Sequence, residues 1–479
     1  MKQNLKAVVL ICFLGMYLLT IVLNDGFMAL DDYFVGITRY IPAQTSSIMN
    51  LVGIDDVKSP LQLLPFHALA QTALSLGIES PYLQYRFMLT ILSLLAAGML
   101  FIGLKQIQHF EQRRNNPESE HYFLFLLALA SFYFVMPFSM TRPMFESLAA
   151  PWLFLSMVNC YLYDHEGRLK NLLASVFFVS VAFCLRQQLG FCALATLIIP
   201  LLKKNYRDFI YAGSLGLVFF LLAGIPDYFI RGEYHFSLKA VTIYNVKYGA
   251  NYGSQPWHFY LVLIFVTGLM PFLFAKYPAG YVKSELKKYR TAWIFLALFV
   301  LLHNMFPQKW ERFLVSIFPI LMVATAPFFW QLWKERRQRK ARWISLIALN
   351  SVLLIPASFT RPQNAILELA LNLNKHPEIT KVYRTEGQPE WFPEVFVAQK
   401  SYVVADIPNG ATPLQWPPID CQTWVIINED QKNQYGDQLK SFAIAQELPS
   451  NWIERLAYKL NPSKNQRRAS MYAYTCRSE

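Results

Sequence analysis

The chain has 479 residues, 54% of them hydrophobic, 16% aromatic and only 16% charged, with a net charge of +13. The apolar residues gather in blocks, which excludes a soluble protein with a single core and predicts a polytopic α-helical membrane protein. The densest basic run falls where retention of Lys and Arg on the cytoplasmic side already accounts for it, so the charge reads as contact with anionic membrane lipids, and no nucleic-acid partner is expected.

In chain order, a short basic lead with Lys2 and Lys6 precedes the first apolar span at 7 to 23. It has no convincing small-residue cleavage site and reads as an uncleaved anchor. Asp31 and Asp32 follow at once, within the run Met28 to Phe34. A carboxylate at the membrane surface can take the proton from an attacking sugar hydroxyl, and Asp is also at home as a helix cap or in a solvated loop. Further on, Lys58-Ser59-Pro60 opens an apolar stretch to Gly77, which predicts a helix capped by Ser, begun by Pro and lying on the membrane surface.

Further spans are predicted at 84 to 104, 121 to 137 and 146 to 163, with Arg142 in the turn before the last of these. Two shorter blocks, 171 to 185 and 189 to 202, flank Arg186 and read as tilted or broken spans. An Arg at a span end escapes most of the cost of a mid-membrane cation, so Arg142 and Arg186 fit either a structural or a ligand-binding role. The remaining spans are 209 to 226, 257 to 275, 291 to 304, 313 to 333 and 343 to 357, for about eleven in all. Between them lie two polar constellations. Tyr252 to Tyr260 (Tyr-Gly-Ser-Gln-Pro-Trp-His-Phe-Tyr) is an aromatic, Pro-fixed loop suited to a ligand that is part sugar and part lipid. Gln308 to Phe313 (Gln-Lys-Trp-Glu-Arg-Phe) offers Lys309 and Arg312 to a leaving lipid phosphate, with Glu311 available to hold one of them; snorkelling at the interface is the bland reading.

Lys and Arg mark alternate loops: 105 to 114, 168 to 170, 203 to 207, 276 to 290 and the run from Lys334 to Arg342. With eleven spans the parity holds, placing the N-terminus in the cytoplasm and 24 to 83, 138 to 145, 227 to 256, 305 to 312 and the tail outside. Beyond 358 the pattern changes to alternating runs such as Ser401 to Ala405 and Thr423 to Ile427 between Pro- and Gly-containing turns. This predicts a small external α/β domain, with 1 to 357 as the membrane domain and 358 to 479 as the soluble one. Cys421 and Cys476 fall in this tail, where a disulfide is chemically allowed, whereas Cys12, Cys160, Cys184 and Cys192 lie in apolar spans as small hydrophobes. His67, His258 and His303 are scattered without metal spacing; no metal and no cofactor are expected.

Taken in order, these segments resemble glycosyltransferase family 22, the polyprenyl-phosphate-mannose-dependent α-mannosyltransferases of N-glycan and GPI-anchor assembly, over most of residues 1 to 330. The family's acidic His-Pro-Asp-Glu motif is similar to Ala29-Leu30-Asp31-Asp32, its Arg-Ser to Lys58-Ser59, its Arg-Thr segment to Arg142-Pro143 and its Arg-Pro-Thr to Arg186-Gln187-Gln188. The most specific match is Tyr-Gly-x-His-Pro-Trp, which reads Tyr252-Gly253-Ser254-Gln255-Pro256-Trp257 here; His-Lys-Glu-x-Arg-Phe reads Gln308-Lys309-Trp310-Glu311-Arg312-Phe313. Both exchange a His for a Gln, which can hydrogen bond but cannot become cationic.

The resemblance implies a GT-C fold and an inverting single displacement. Asp31, beside Asp32, activates an acceptor hydroxyl. Lys309, Arg312, Arg142 and Arg186 hold the donor phosphate, and Tyr252, Gln255, Trp257, His258, Gln308 and Glu311 contact donor or acceptor. The implied partners are a polyprenyl-phosphate sugar donor, with mannose preferred, a glycan or glycolipid acceptor, and membrane lipids. A carrier or flippase for a lipid-linked saccharide is the alternative, and a noncatalytic relative with lost activity is a third reading. No Asn-x-Ser/Thr acceptor appears, which favours a bacterial inner membrane with the site facing the periplasm; the endoplasmic reticulum is the eukaryotic counterpart.

Overall fold

The computed structural model describes residues 2–27, 41, 58–249, 254–385, 394–397, 403–408, 411–462, 465 and 468–477. The chain divides into two compact units, one of Met1–Val22, Thr45–Ala68 and Leu89–Ser358, the other of Leu23–Gln44, Leu69–Met88 and Phe359–Glu479.

The first unit is helical. Among the described residues, five helical stretches are long and apolar enough to cross a membrane: Asn4–Leu23, Pro81–Arg113, Tyr206–Arg231, Glu311–Lys334 and Lys340–Leu373. Shorter apolar helices are Ser119–Phe132, Leu169–Leu185, Gln187–Leu202, Phe259–Gly268 and Arg290–Met305. At the centre runs the helix Phe145–Glu166, buried on nearly every face, as a helix apolar all round must be. Gly167, in the left-handed region at φ 71°, ends it and lets the chain return as Leu169–Leu185. Ser156 and Ser175 lock this hairpin with reciprocal hydroxyl-to-carbonyl bonds of 2.9 and 2.8 Å. Such bonds satisfy polar groups internally where lipid offers no alternative.

Ion pairs sit at both ends of the central helix. Glu146 pairs with Arg186 at one end, and Asp164 with Arg290 at the other. Eighteen residues at about 1.5 Å each separate the two carboxylates by about 27 Å, close to the thickness of a hydrocarbon core. Beside Asp164, Lys288 pairs with Glu111 at 2.9 Å and Thr291 Oγ1 donates to Asp164 at 3.1 Å. The charges thus flank an apolar slab rather than interrupt it.

The helices begin and end close to where periodicity and charge predict, with instructive exceptions. The block at 257 to 275 is two helices, Phe259–Gly268 and Met270–Phe274, because Pro271 cannot continue the first. The block at 313 to 333 opens as a 3-10 turn, Glu311–Ile317, before the α-helix Phe318–Lys334. The break at Arg186 is real: its backbone is extended, and a 3-10 turn, Gln187–Ala193, leads into Leu194–Leu202. The stretch after Lys58 is a helix, Pro60–Ser75, with Ser59 Oγ accepting from the Leu61 N–H at 3.3 Å.

The second unit carries a five-stranded mixed sheet in the order β2-β1-β3-β5-β4, with β1 Lys381–Arg384, β2 Val403–Asp406, β3 Thr423–Asn428, β4 Phe442–Leu448 and β5 Met471–Cys476. β1 runs parallel to β2 and β3, while β5 runs antiparallel to β3 and β4. Every residue of β3 is buried, so this central strand is covered on both faces, unlike a half-buried alternating strand. Trp416, Val425, Ile427 and Tyr474 are part of the core on one face. Cys421 and Cys476 form a disulfide, closing the chain from the start of β3 to the end of β5.

Asp25 organises the start of this unit. Its buried carboxylate accepts from Arg86 Nη1 at 2.8 Å, Arg361 Nε at 2.6 Å and the Tyr82 hydroxyl, and its carbonyl accepts from the Tyr85 hydroxyl at 2.8 Å. Arg361 turns its other arm to Glu368 at 2.5 Å. Next to Asp25, a Cβ on Gly26 would lie 1.9 Å from the Pro362 carbonyl oxygen, so only glycine fits there.

Candidate active site

Three sequence-distant cations of the first unit gather around Glu146, the second residue of the central helix. Arg186 Nη2 lies 2.9 Å from Glu146 Oε1, and both side chains are largely buried. Arg312 and Lys58 stand close enough to act electrostatically on the same carboxylate. The Phe313 ring carries Arg186 at 5.1 Å and Arg312 at 5.5 Å from its centroid, and Lys58 lies 5.3 Å from the centroid of Phe145. Cations over aromatic rings gain an attractive contact with the ring face, and a guanidinium can stack there.

The backbone explains why these groups can meet. Arg186 sits in the break between helices, where an extended residue turns the chain sharply. Ser316 Oγ donates to the Glu146 carbonyl at 3.3 Å, tying the 3-10 turn that carries Arg312 to the first turn of the central helix. Lys58 is set by a separate clamp. Arg231, fully buried, donates to Asp227 Oδ1 at 2.6 Å and to the Lys58 carbonyl at 2.8 Å, while the Ser237 N–H donates to Asp227 Oδ2 at 2.9 Å.

Lys309 forms the second part of the site. Its buried ammonium donates to the carbonyl oxygens of Phe306 at 2.7 Å and Gln255 at 3.2 Å. Gln255 N–H in turn donates to the Pro307 carbonyl at 3.2 Å. The two motifs, 53 residues apart between Gln255 and Gln308, are therefore joined along their backbones. Among the described residues no carboxylate lies within ion-pair distance of Lys309, and burial pulls its pKa below the usual lysine value.

Around them, Trp257 is exposed, with His258 against its edge at 5.6 Å, and Gln255 and His258 are exposed as well. Gln308 is half-buried beside Lys309. His303 is a packing residue, stacked on Phe299 at 3.8 Å with Nδ1 2.9 Å from the Phe299 carbonyl. Arg142 is buried in the turn before the central helix.

The structure differs from the sequence expectation at Glu311. It is exposed and makes no ion pair with Lys309 or Arg312; among the described residues the acid within the cation cluster is Glu146. A signal was available: an acid at the apolar end of a predicted span needs a cation, and Arg186 is a basic residue of another span end. Asp31, Asp32 and Tyr252 lie outside the described residues. Among the described residues no cluster of His, Cys, Asp and Glu is arranged to hold a metal ion.

Two solved structures resemble this one over its length. The crystal structure of ArnT from Cupriavidus metallidurans bound to undecaprenyl phosphate matches with a TM-score of 0.57 and 11% identity, covering 98% of this chain and 97% of that one. The same protein in the apo state gives a TM-score of 0.56, also at 11% identity, with the same coverage of 98% and 97%. The fold is thus that of the GT-C membrane glycosyltransferases. The sequence profile of the Alg9-like mannosyltransferase family matches residues 55–403, and the chain belongs to that family. No curated protein matches it in sequence. It is an integral membrane glycosyltransferase.

Proposed function

We propose that the protein transfers a hexose, mannose in the first instance, from a polyprenyl-phosphate donor to a glycan or glycolipid acceptor on the external face of the membrane. The observation that carries this reading is the joining of the two motif loops at Lys309, a buried ammonium capped by two carbonyl oxygens. A lysine so placed has a third N–H for an anion, and a phosphate would repay the cost of keeping it charged. The family supports mannose, and the structurally similar ArnT was crystallised with undecaprenyl phosphate.

In this mechanism the acceptor hydroxyl loses its proton to Asp31, with Asp32 beside it in the chain. The hydroxyl oxygen attacks the anomeric carbon as the carbon–phosphate oxygen bond breaks, inverting the configuration. The bonding electrons leave with the polyprenyl phosphate, whose charge is met by Lys309 and by Arg186 and Arg312 of the cation cluster, with Arg142 in support. Glu146 holds Arg186 in place. Gln255, Gln308 and Glu311 give polar contacts to donor or acceptor. Tyr252, Trp257 and His258 offer ring surfaces to the sugar and the lipid's first isoprene units.

The test is transfer of radiolabelled mannose from polyprenyl-phosphate mannose into membrane glycans by wild type and Asp31→Asn at matched protein level. Loss of a general base predicts a fall of about 100- to 10,000-fold in the variant. Normal turnover by Asp31→Asn overturns the assignment of the base. Labelled sugar crossing sealed vesicles without a new glycosidic bond overturns the transferase reading in favour of a carrier.

A further inference from the structure

The first unit contains a groove of about 790 Å³, bordered by the helices Lys2–Leu23, Ser119–Phe132, Phe318–Lys334 and Lys340–Phe359. It shares no residue with the cluster around Glu146 and Lys309. Its walls are almost wholly apolar, with Ala128, Leu129, Phe329 and Leu346 among them. Polar contacts join its two outer helices to Ser119–Phe132 and the turn that follows it. The Tyr17 hydroxyl donates to the Ala130 carbonyl at 3.3 Å. Asn350 accepts from the Phe134 N–H at 3.0 Å and donates to the Phe132 carbonyl at 2.6 Å, using backbone groups freed where that helix ends.

The two ends of the groove differ in chemistry. Asn350, Ser351 and Leu354 line one end. At the other stand Trp330, Trp333 and Trp343 with Glu118, Lys334 and Arg336. Lys334 pairs there with Glu118. The Arg336 guanidinium lies 3.9 Å from the Trp333 ring centroid and donates from Nη1 to the Trp333 carbonyl at 2.9 Å. Among the described residues no carboxylate pairs with Arg336, and the run continues through Arg337, Arg339, Lys340 and Arg342. From Trp343 to Leu354 the helix rises about 16 Å, close to the roughly 15 Å depth of one leaflet's hydrocarbon.

Apolar space between helices inside a bilayer is filled by acyl chains, and a tryptophan and arginine rim belongs at the headgroup level. We propose that this groove is a binding site for one membrane phospholipid with an anionic headgroup, its acyl chain along Ala128 and Leu346 and its phosphate at Arg336. The positive-inside rule assigns this end to the cytoplasmic leaflet, the leaflet opposite the proposed site of glycosyl transfer.

The test uses the full-length protein, delipidated in detergent and titrated by native mass spectrometry with phosphatidylglycerol and phosphatidylcholine of identical acyl chains. Wild type is expected to retain one phosphatidylglycerol with at least about fivefold preference, the effect of a single cation near a headgroup. Arg336→Gln is expected to bring the preference close to unity, and Ala128→Trp, which fills the groove, to release both lipids. Equal retention of the two lipids by wild type, or undiminished retention by a folded Ala128→Trp, overturns the proposal. Should Ala128→Trp fail to fold, tryptophan quenching by chain-brominated phosphatidylglycerol decides between wild type and Arg336→Gln: equal quenching in both rejects the site.

Discussion

Both units bury a carboxylate among arginines, yet the two clusters are built differently. In the second unit each oxygen of Asp25 is taken by a protein donor, and Arg361 bridges onward to Glu368. That is a closed network, with ligands, charges and lone pairs satisfied inside the protein. In the first unit, among the described residues, Glu146 pairs directly with Arg186, Arg186 and Arg312 both lie over the Phe313 ring, and Lys309 donates to carbonyl oxygens. A closed network holds a fold together. A cluster that gathers several cations from different helix ends is suited to receive an anionic ligand, and the same residue types serve both purposes.

The largest effect is expected at Asp25. Removing one partner from a buried ion network typically costs about 3 to 5 kcal/mol, because the remaining charges lose their compensation. Asp25→Ala is therefore expected to lower the unfolding temperature of the purified protein by about 5 °C or more, while glycosyl transfer at low temperature stays within about tenfold of wild type. Unchanged thermal stability would mean that this network is not the structural clamp described.

The opposite pattern is expected at Arg312. If it stabilises charge only as the phosphate departs, Arg312→Gln lowers kcat by about 100- to 1,000-fold, the usual cost of deleting one transition-state donor. Its unfolding temperature should change little. A stability loss matching that of Asp25→Ala would place both clusters in the same structural class.

The smallest effect concerns pH. Burial lowers the pKa of Lys309, so its positive charge is lost as pH rises through a value below the ordinary lysine pKa. Donor affinity should then weaken on the alkaline side, seen as a rising KM. Lys309→Arg keeps the charge to higher pH and is expected to move that limb upward, at some cost in fit. An alkaline limb identical in both proteins would show that Lys309 does not carry it.

Much of the membrane unit was legible in the sequence because helix burial is a local, repetitive signal. The break at Arg186 was foreseeable from two apolar blocks too short to span separately. The strands β2 and β3 overlap their alternating runs, although β3 proved buried on both sides. What could not be read were pairings between distant segments. Glu146 stands at a span end, which calls for a cation, but nothing in the sequence specifies that the cation is Arg186. The backbone bond from Gln255 to Pro307 involves groups that every residue possesses, so no side-chain pattern encodes it. The Asp227–Arg231 clamp was missed for a related reason, since its purpose is visible only once Arg231 is seen to hold the Lys58 carbonyl. Resemblance to a family selected the candidate residues; the structure supplied their neighbours.

The most direct measurement is mannosyl transfer from polyprenyl-phosphate mannose in membranes containing equal amounts of wild type, Arg312→Gln or Asp25→Ala, assayed at low temperature. Labelled product is expected from wild type and Asp25→Ala and almost none from folded Arg312→Gln. Transfer by Arg312→Gln at the wild-type rate, or the absence of transfer by wild type from any polyprenyl-phosphate sugar, would contradict it.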